Sequence, residues 1–453
     1  MCASGARPRR LRPSPNAAIA PCRYPRRALN DPGSRPWPRL APAAAAIFTI
    51  AACTILQTPS GTSEGSAGAA GQPSGPPVLG IDWGRATAVE RPENYEATLA
   101  PGYAGAHPIL RIPGQATMAD VMALPDGGYV SVGYSPPAWT PLAWTSTDGL
   151  TWRMHEIGAT EFTFPEALAT GSDGAVVAVG RSGRLPMAWT TNDGVAWQAH
   201  DVATLGSDGA PERMTTVAAG DVGYVAGGSV GPELAERHAR FWTSPDGSNW
   251  QHVPDDAGTF AGAEVRAITR FVDGFVAVGV LGDAQVQTGA VAWASSDGLT
   301  WERIESPAFE GGRAVAIVES PAGGLVAVGT TVERREAVAW TSPDGRAWIR
   351  TPSEASRLYG GSGSKGDGFV QMTDVAVVDG QLIGIGVLQG LQRGIATSWV
   401  SPDGVHWDRA ISAPIQQQVE LYAITAGGPG AIVVGAFGAP DSYVPMVLVS
   451  PAR

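Results

Sequence analysis

Short hydrophobic runs closed at both ends by glycine recur along the chain: Gly128 to Gly133, Gly174 to Gly180, Gly223 to Gly228, Gly274 to Gly279, Gly324 to Gly329, Gly380 to Gly386 and Gly430 to Gly435. Runs such as Phe275-Val276-Ala277-Val278 are too short for a helix and rich in β-branched residues, so they predict buried strands. No segment after Leu56 carries a sustained helical period. Around each run the pattern predicts three further strands. In the best-defined unit these are Val265 to Thr269 before it, Ala290 to Ala294 after it, and Thr300 to Ile304 last. Seven units of four strands predict an all-β fold, a seven-bladed β-propeller of four-stranded blades.

Between the third and fourth strands stands Trp-x-Ser/Thr-x-Asp-Gly-x-x-Trp, in six copies whose first tryptophans are Trp144, Trp189, Trp242, Trp293, Trp340 and Trp399. The aspartates, Asp148, Asp193, Asp246, Asp297, Asp344 and Asp403, lie 45, 53, 51, 47 and 59 residues apart, a period that belongs to repeat architectures. In Ser342-Pro343-Asp344-Gly345 each residue suits its turn position: proline fixes φ, aspartate caps local amides, and glycine accepts positive φ. The expected role of the aspartates is therefore structural, and the tryptophans should fill the space between blades.

The seventh unit stops at Val447-Leu448-Val449-Ser450-Pro451, where its turn would begin. Trp83-Gly84-Arg85 resembles the post-turn sequences Trp301-Glu302-Arg303 and Trp407-Asp408-Arg409. Residues 80 to 91 are thus expected to close the ring as the outer strand of the last blade, removing a free sheet edge.

The repeated turn resembles the Asp-box of BNR-repeat propellers, a superfamily that includes sialidases, sortilin-type receptors and photosystem assembly factors. The usual box reads Ser-x-Asp-x-Gly-x-x-Trp, whereas here glycine follows aspartate directly in all six copies. The resemblance covers about residues 80 to 453 and implies a fold. It does not fix an activity. Arg111-Ile112-Pro113 resembles the Arg-Ile-Pro motif that precedes the first box in sialidases, where the arginine grips the substrate carboxylate. On that resemblance Asp120 would be the acid/base and Tyr422, beside Glu420, the nucleophile of a glycoside hydrolase.

Before the repeats the composition changes. Residues 1 to 40 carry nine arginines and one aspartate, and the apolar stretch Ala41 to Ala52 ends at Cys53. This is a secretory signal pattern, and Ile50-Ala51-Ala52-Cys53 resembles a bacterial lipobox, which makes Cys53 the expected lipidation site. The expected organisation is a signal segment at 1–53, a Ser/Gly/Pro-rich flexible linker at 54–78 and the propeller at 79–453. The expected location is the extracytoplasmic face of the cell membrane as a lipoprotein, or alternatively a secreted state. Removal of residues 1–53 leaves 22 Lys and Arg against 41 Asp and Glu, a formal charge of −19. So acidic a domain repels nucleic acid. The membrane is expected to matter only through the anchor.

Candidate chemistry lies on the face opposite the box turns, where the longest connections, Glu90 to Thr117 and Thr351 to Gln371, also open. Three residues before an alanine shared by all seven units stand Asp120, Glu166, Thr215, Glu264, Arg313, Thr373 and Glu420. If aligned, these residues ring the mouth of the central channel, and the acids with Arg266 and Arg313 form the candidate ligand set, with Arg111 added by the resemblance. The six histidines form no ligand-spaced pair, so no metal and no cofactor are expected. Two GxSxG matches and the glycine-rich Gly360 to Gly368 lack the strand-to-helix setting that catalysis or phosphate binding needs. The expected function is non-catalytic binding of a protein or glycan partner by a monomer; the alternative is the sialidase-like hydrolase.

Overall fold

The computed structural model describes Thr87–Ala88 and most of residues 116–449, with segments 205–209, 232–236, 353–368 and 412–418 and some shorter loops excepted. Its strands form seven four-stranded antiparallel sheets, each drawn from consecutive strands except the last. The inner strands are Thr117–Ala123, Thr163–Thr170, Glu212–Gly220, Ala263–Phe271, Gly312–Glu319, Phe369–Val378 and Val419–Gly427, taken here as the starts of blades one to seven. Each glycine-closed run is the second strand of its blade, as the sequence predicts. In the seventh blade Val444–Val449 pairs with the two-residue strand Thr87–Ala88, Thr87 opposite Val447 and Ala88 opposite Met446. The remainder of the closing segment 80 to 91 lies outside the described residues, as do Cys53, the linker and Arg111.

The box turns explain their own sequence. In the third blade Ser244 Oγ accepts the Gly247 amide at 2.9 Å and donates to Asp246, whose Oδ1 accepts the amides of Ser248 and Asn249 at 2.8 and 2.9 Å. Trp250 Nε1 closes the loop on the Gly247 carbonyl at 2.8 Å. Gly247 has φ 75°, and a Cβ there would sit 2.3 Å from Val177 Cγ2 in the preceding blade. The glycine is thus required twice, for its left-handed backbone and for the close approach of the neighbouring sheet. All six first tryptophans of the boxes are fully buried. Cores form between blades, as where Phe241 stacks on Trp301 at 4.0 Å between the third and fourth. Met118, Trp144 and Trp152 of blade one pack with Ile432, Val434 and Val447 of blade seven, so the same packing joins the ends of the ring.

Every inner strand contains a β-bulge. The pairing skips one residue in each: Ala119, Glu166, Thr215, Arg266, Val315, Thr373 and Tyr422. Opposite the bulges lie Gly133, Gly180, Gly228, Gly279, Gly329, Gly386 and Gly435, where a Cβ would fall within about 2 Å of a carbonyl oxygen of the inner strand. These glycines therefore close the apolar runs because the bulge brings two backbones together.

Candidate functional site

The bulges fix a register that differs from the sequence expectation. The carbonyls against the seven glycines belong to Thr117, Phe164, Arg213, Glu264, Arg313, Gln371 and Glu420, which are therefore equivalent positions near the loop end of each inner strand. Glu166, Thr215 and Thr373 occupy the bulges themselves, with Arg266 and Tyr422 as their equivalents, and Asp120 lies one residue further in. The expected single ring is thus spread over three levels. The shared alanine misaligned it, because alanine recurs at different offsets from an extra residue that sequence spacing does not reveal.

On the level nearest the loops, Glu264 is the hub of an ionic cluster. Arg213 reaches one of its oxygens, while Arg237 Nη1 at 2.6 Å and Arg266 Nη2 at 3.3 Å reach the other. Burial works to raise the Glu264 pKa, but Arg266, Arg213 and Arg237 together hold it below the usual value. Two of these three guanidiniums, those of Arg213 and Arg237, also line a cavity. That cavity, about 270 Å³ between blades two and three, is lined by Arg181, Arg184, Arg213 and Arg237, with Pro211, Ser229 and backbone glycines. Among the described residues, Glu212 is its one lining carboxylate. Arg181 bridges inward, with Nε 3.7 Å from Glu166 and its guanidinium 3.9 Å above the Phe164 ring.

Across the mouth the chemistry is phenolic and acidic. Tyr422 Oη donates to one oxygen of Glu420, and Tyr443 Oη donates to the other at 2.7 Å. Burial and the Glu420 charge raise both phenols above their usual range. The Tyr422–Glu420 pair named in the sequence is thus a direct hydrogen bond. Asp120 does not join it. Its Oδ1 accepts the Val121 amide and its Oδ2 the Leu168 amide of the next blade, both at 2.7 Å. Desolvation pushes its pKa to about 7. Asp374 makes the equivalent link to Ile424 at 2.9 Å, and desolvation pushes it likewise to about 7. Among the described residues, no group of three His, Cys, Asp or Glu side chains is arranged to hold a metal ion.

Sequence reasoning missed Arg181, Arg184, Arg213, Arg237, Tyr134 and Tyr443. Tyr134 and Arg181 follow the second-strand glycines directly, where other blades carry Ser229, Val280, Thr330, Val387 and Ala436. A large side chain at a position otherwise held by small or β-branched residues was the available signal. Arg184 and Arg237 stand in connections, which repeat spacing does not align.

No protein-family model matches the chain, and no curated protein matches it. Solved structures to which the chain is similar include YCF48 bound to D1 peptide, at 16% identity and TM-score 0.47, covering 82% of this chain and 98% of that one. A sialidase from Trypanosoma rangeli matches at 13% identity and TM-score 0.46, over 80% of this chain and 59% of that chain. The polysaccharide lyase Uly1 matches at 10% identity and TM-score 0.48, over 80% and 94%. The chain is a seven-bladed β-propeller with structural neighbours among the sialidase and YCF48 proteins, a likeness of fold alone.

Proposed function

We propose that this protein is an exported, lipid-anchored binding propeller that takes a protein or glycan partner on the face opposite its box turns. It acts there without catalysis. The observation that carries this reading is the arginine-lined cavity between blades two and three, a concentrated positive site on a chain whose formal charge is −11. Guanidiniums recognise carboxylates through paired hydrogen bonds, so the group bound there is anionic. The named neighbours include one bound to a peptide and two named as carbohydrate-active enzymes, a range that leaves the partner class to the site itself.

The test is binding of carboxylate-bearing probes to the full-length chain by titration calorimetry, with and without Arg184→Ala. Arg184 is exposed, so its loss removes charge without opening the core. Binding weakened several-fold by the substitution and by added salt supports the reading; no binding by any anionic probe ends it. Cys53→Ala tests the anchor, since it should release the protein from the membrane fraction of a bacterial host.

The Tyr422–Glu420 hydrogen bond favours one second reading, a sialidase-like hydrolase with Tyr422 as nucleophile. Turnover of a fluorogenic sialoside that Tyr422→Phe abolishes would establish it. No turnover from a folded, binding-competent sample would remove it.

A further inference from the structure

Beside the arginine cavity lies a second feature that the sequence does not single out. Tyr134, Trp139 and Phe164 form an aromatic triangle at the border of blades one and two, with ring centroids 5.5, 5.1 and 5.5 Å apart. All three are half-buried, whereas the first tryptophans of the boxes are fully buried. Trp139 and the exposed Phe162 both hold left-handed backbones, with φ 55° and 56°, a conformation that bulky residues rarely adopt. Hydrogen bonds lock them in place: Phe162 N to Ala138 O and Thr163 N to Trp139 O at 2.9 Å, and Gly183 N to Phe162 O at 2.8 Å. The strained backbone holds the aromatic surface in one fixed presentation, as backbone strain often does where a site is preorganised.

The triangle and the cavity share an edge, because Arg181 stacks on Phe164 and also lines the cavity. We propose that this joint surface is a subsite for a carboxylated pyranose of an acidic polysaccharide, its C–H face on the Trp139–Phe164 rings and its carboxylate among Arg184, Arg213 and Arg237. The inference rests on the anion-binding reading above and deepens it by naming the partner class. A sugar ring offers an apolar face to aromatic surface and hydroxyls at its rim. Here that rim meets Arg181 and Glu166, a planar donor and a planar acceptor placed side by side. A glutamate-rich peptide would use the arginines but has no flat apolar face to cover the Trp139–Phe164 rings. The cavity, at about 270 Å³, lies just below the range of about 300 to 1,000 Å³ usual for drug-sized ligands, so it takes one sugar unit and not several.

The experiment titrates the full-length chain with trigalacturonate, with neutral maltotriose, and with a tri-glutamate peptide. Trigalacturonate should bind about tenfold or more tightly than either of the others. Trp139→Gly removes the ring while suiting the left-handed backbone, and it should weaken the uronate about tenfold. Equal binding of the peptide, unaffected by Trp139→Gly, overturns the saccharide inference and leaves the anion site standing. Equal binding of maltotriose overturns the carboxylate contribution. Failure of both anions overturns the subsite and the proposed function together. Should Trp139→Gly not fold, the ranking of the three probes on the unaltered chain decides.

Discussion

Asp120 in the first blade accepts the backbone amide of Leu168 in the second at 2.7 Å, so a channel-side carboxylate links two adjacent sheets. Asp374 makes the same link from blade six to Ile424 in blade seven, and Thr216 makes it from blade three to Ile268 at 3.1 Å. A hydroxyl serves where an acid does elsewhere, so the position needs an acceptor and does not need a charge. Desolvation raises both acids from 3.8 to about 7. A folded-state pKa above the unfolded one means that the protonated form stabilises the fold. That contribution is full below pH 3.8 and is lost as pH rises to about 7. The thermal midpoint should therefore fall across this window. Asp120→Asn with Asp374→Asn, which keeps a carbonyl acceptor, should flatten that slope. A midpoint profile unchanged by the double substitution would show that these acids do not titrate in the fold.

The box aspartates act in the opposite direction. In Asp246 two amides, Asn249 and Ser244 outweigh the effect of burial and hold the pKa at about 2. Its stabilisation is present above pH 3.8 and is lost as pH falls towards 2. The turn is exposed, so Asp246→Ala should cost only about 1 kcal/mol, in the range of a helix-cap loss. Trp242→Ala, at the fully buried first tryptophan of the same box, should cost about 3–5 kcal/mol through the cavity it leaves. Urea denaturation of the two variants checks the order. Equal costs would mean that the box holds the fold through its turn and not through its tryptophan.

How legible all this was in the sequence depended on which residues repeat. Box and glycine-closed run recur because every blade needs the same turn and the same close approach, and they foretold the fold, the blade number and the strand order. The bulge leaves no signature of its own, since Ala119, Arg266 and Val315 share nothing but their place in the backbone. Counting from alanine therefore put Asp120 level with Glu264, although pairing sets Asp120 opposite Val132, past the bulge, and Glu264 opposite Val280, before it. The arginine cavity was illegible for a different reason. Arg184 and Arg237 come from separate connections that only the ring brings together. The Tyr422–Glu420 pair was readable because residues two apart across a bulge still meet.

Glu264 offers a sharper energetic test. Removing its charge in Glu264→Gln leaves Arg213, Arg237 and Arg266 facing one another around a site that is 5% exposed. Breaking a buried ion pair from one side costs about 3–5 kcal/mol, and that loss is expected in urea denaturation. Arg266→Gln should cost much less, because its side chain is 35% exposed and two guanidiniums remain on the carboxylate. If the two substitutions cost the same, the cluster is a set of independent surface pairs and not a hub.

Ring closure can be tested by deletion. Blade seven has three strands from the C-terminus, and Thr87–Ala88 lies along Val444–Val449 as its fourth. A blade that lost this partner would expose the backbone of Val444–Val449, an edge open to pairing with another chain. It would also weaken the core in which Val447 and Val449 pack with Trp144 and Trp152 of blade one. Because that core joins the first blade to the last, its loss should reach the whole ring. Deleting residues 79 to 92 should therefore lower the single thermal midpoint of the propeller and promote concentration-dependent association. Hydrogen exchange locates the effect: faster exchange spread through blades one and seven is expected. Faster exchange confined to Val444–Val449, with the midpoint unchanged, would show that the ring holds through blade packing alone.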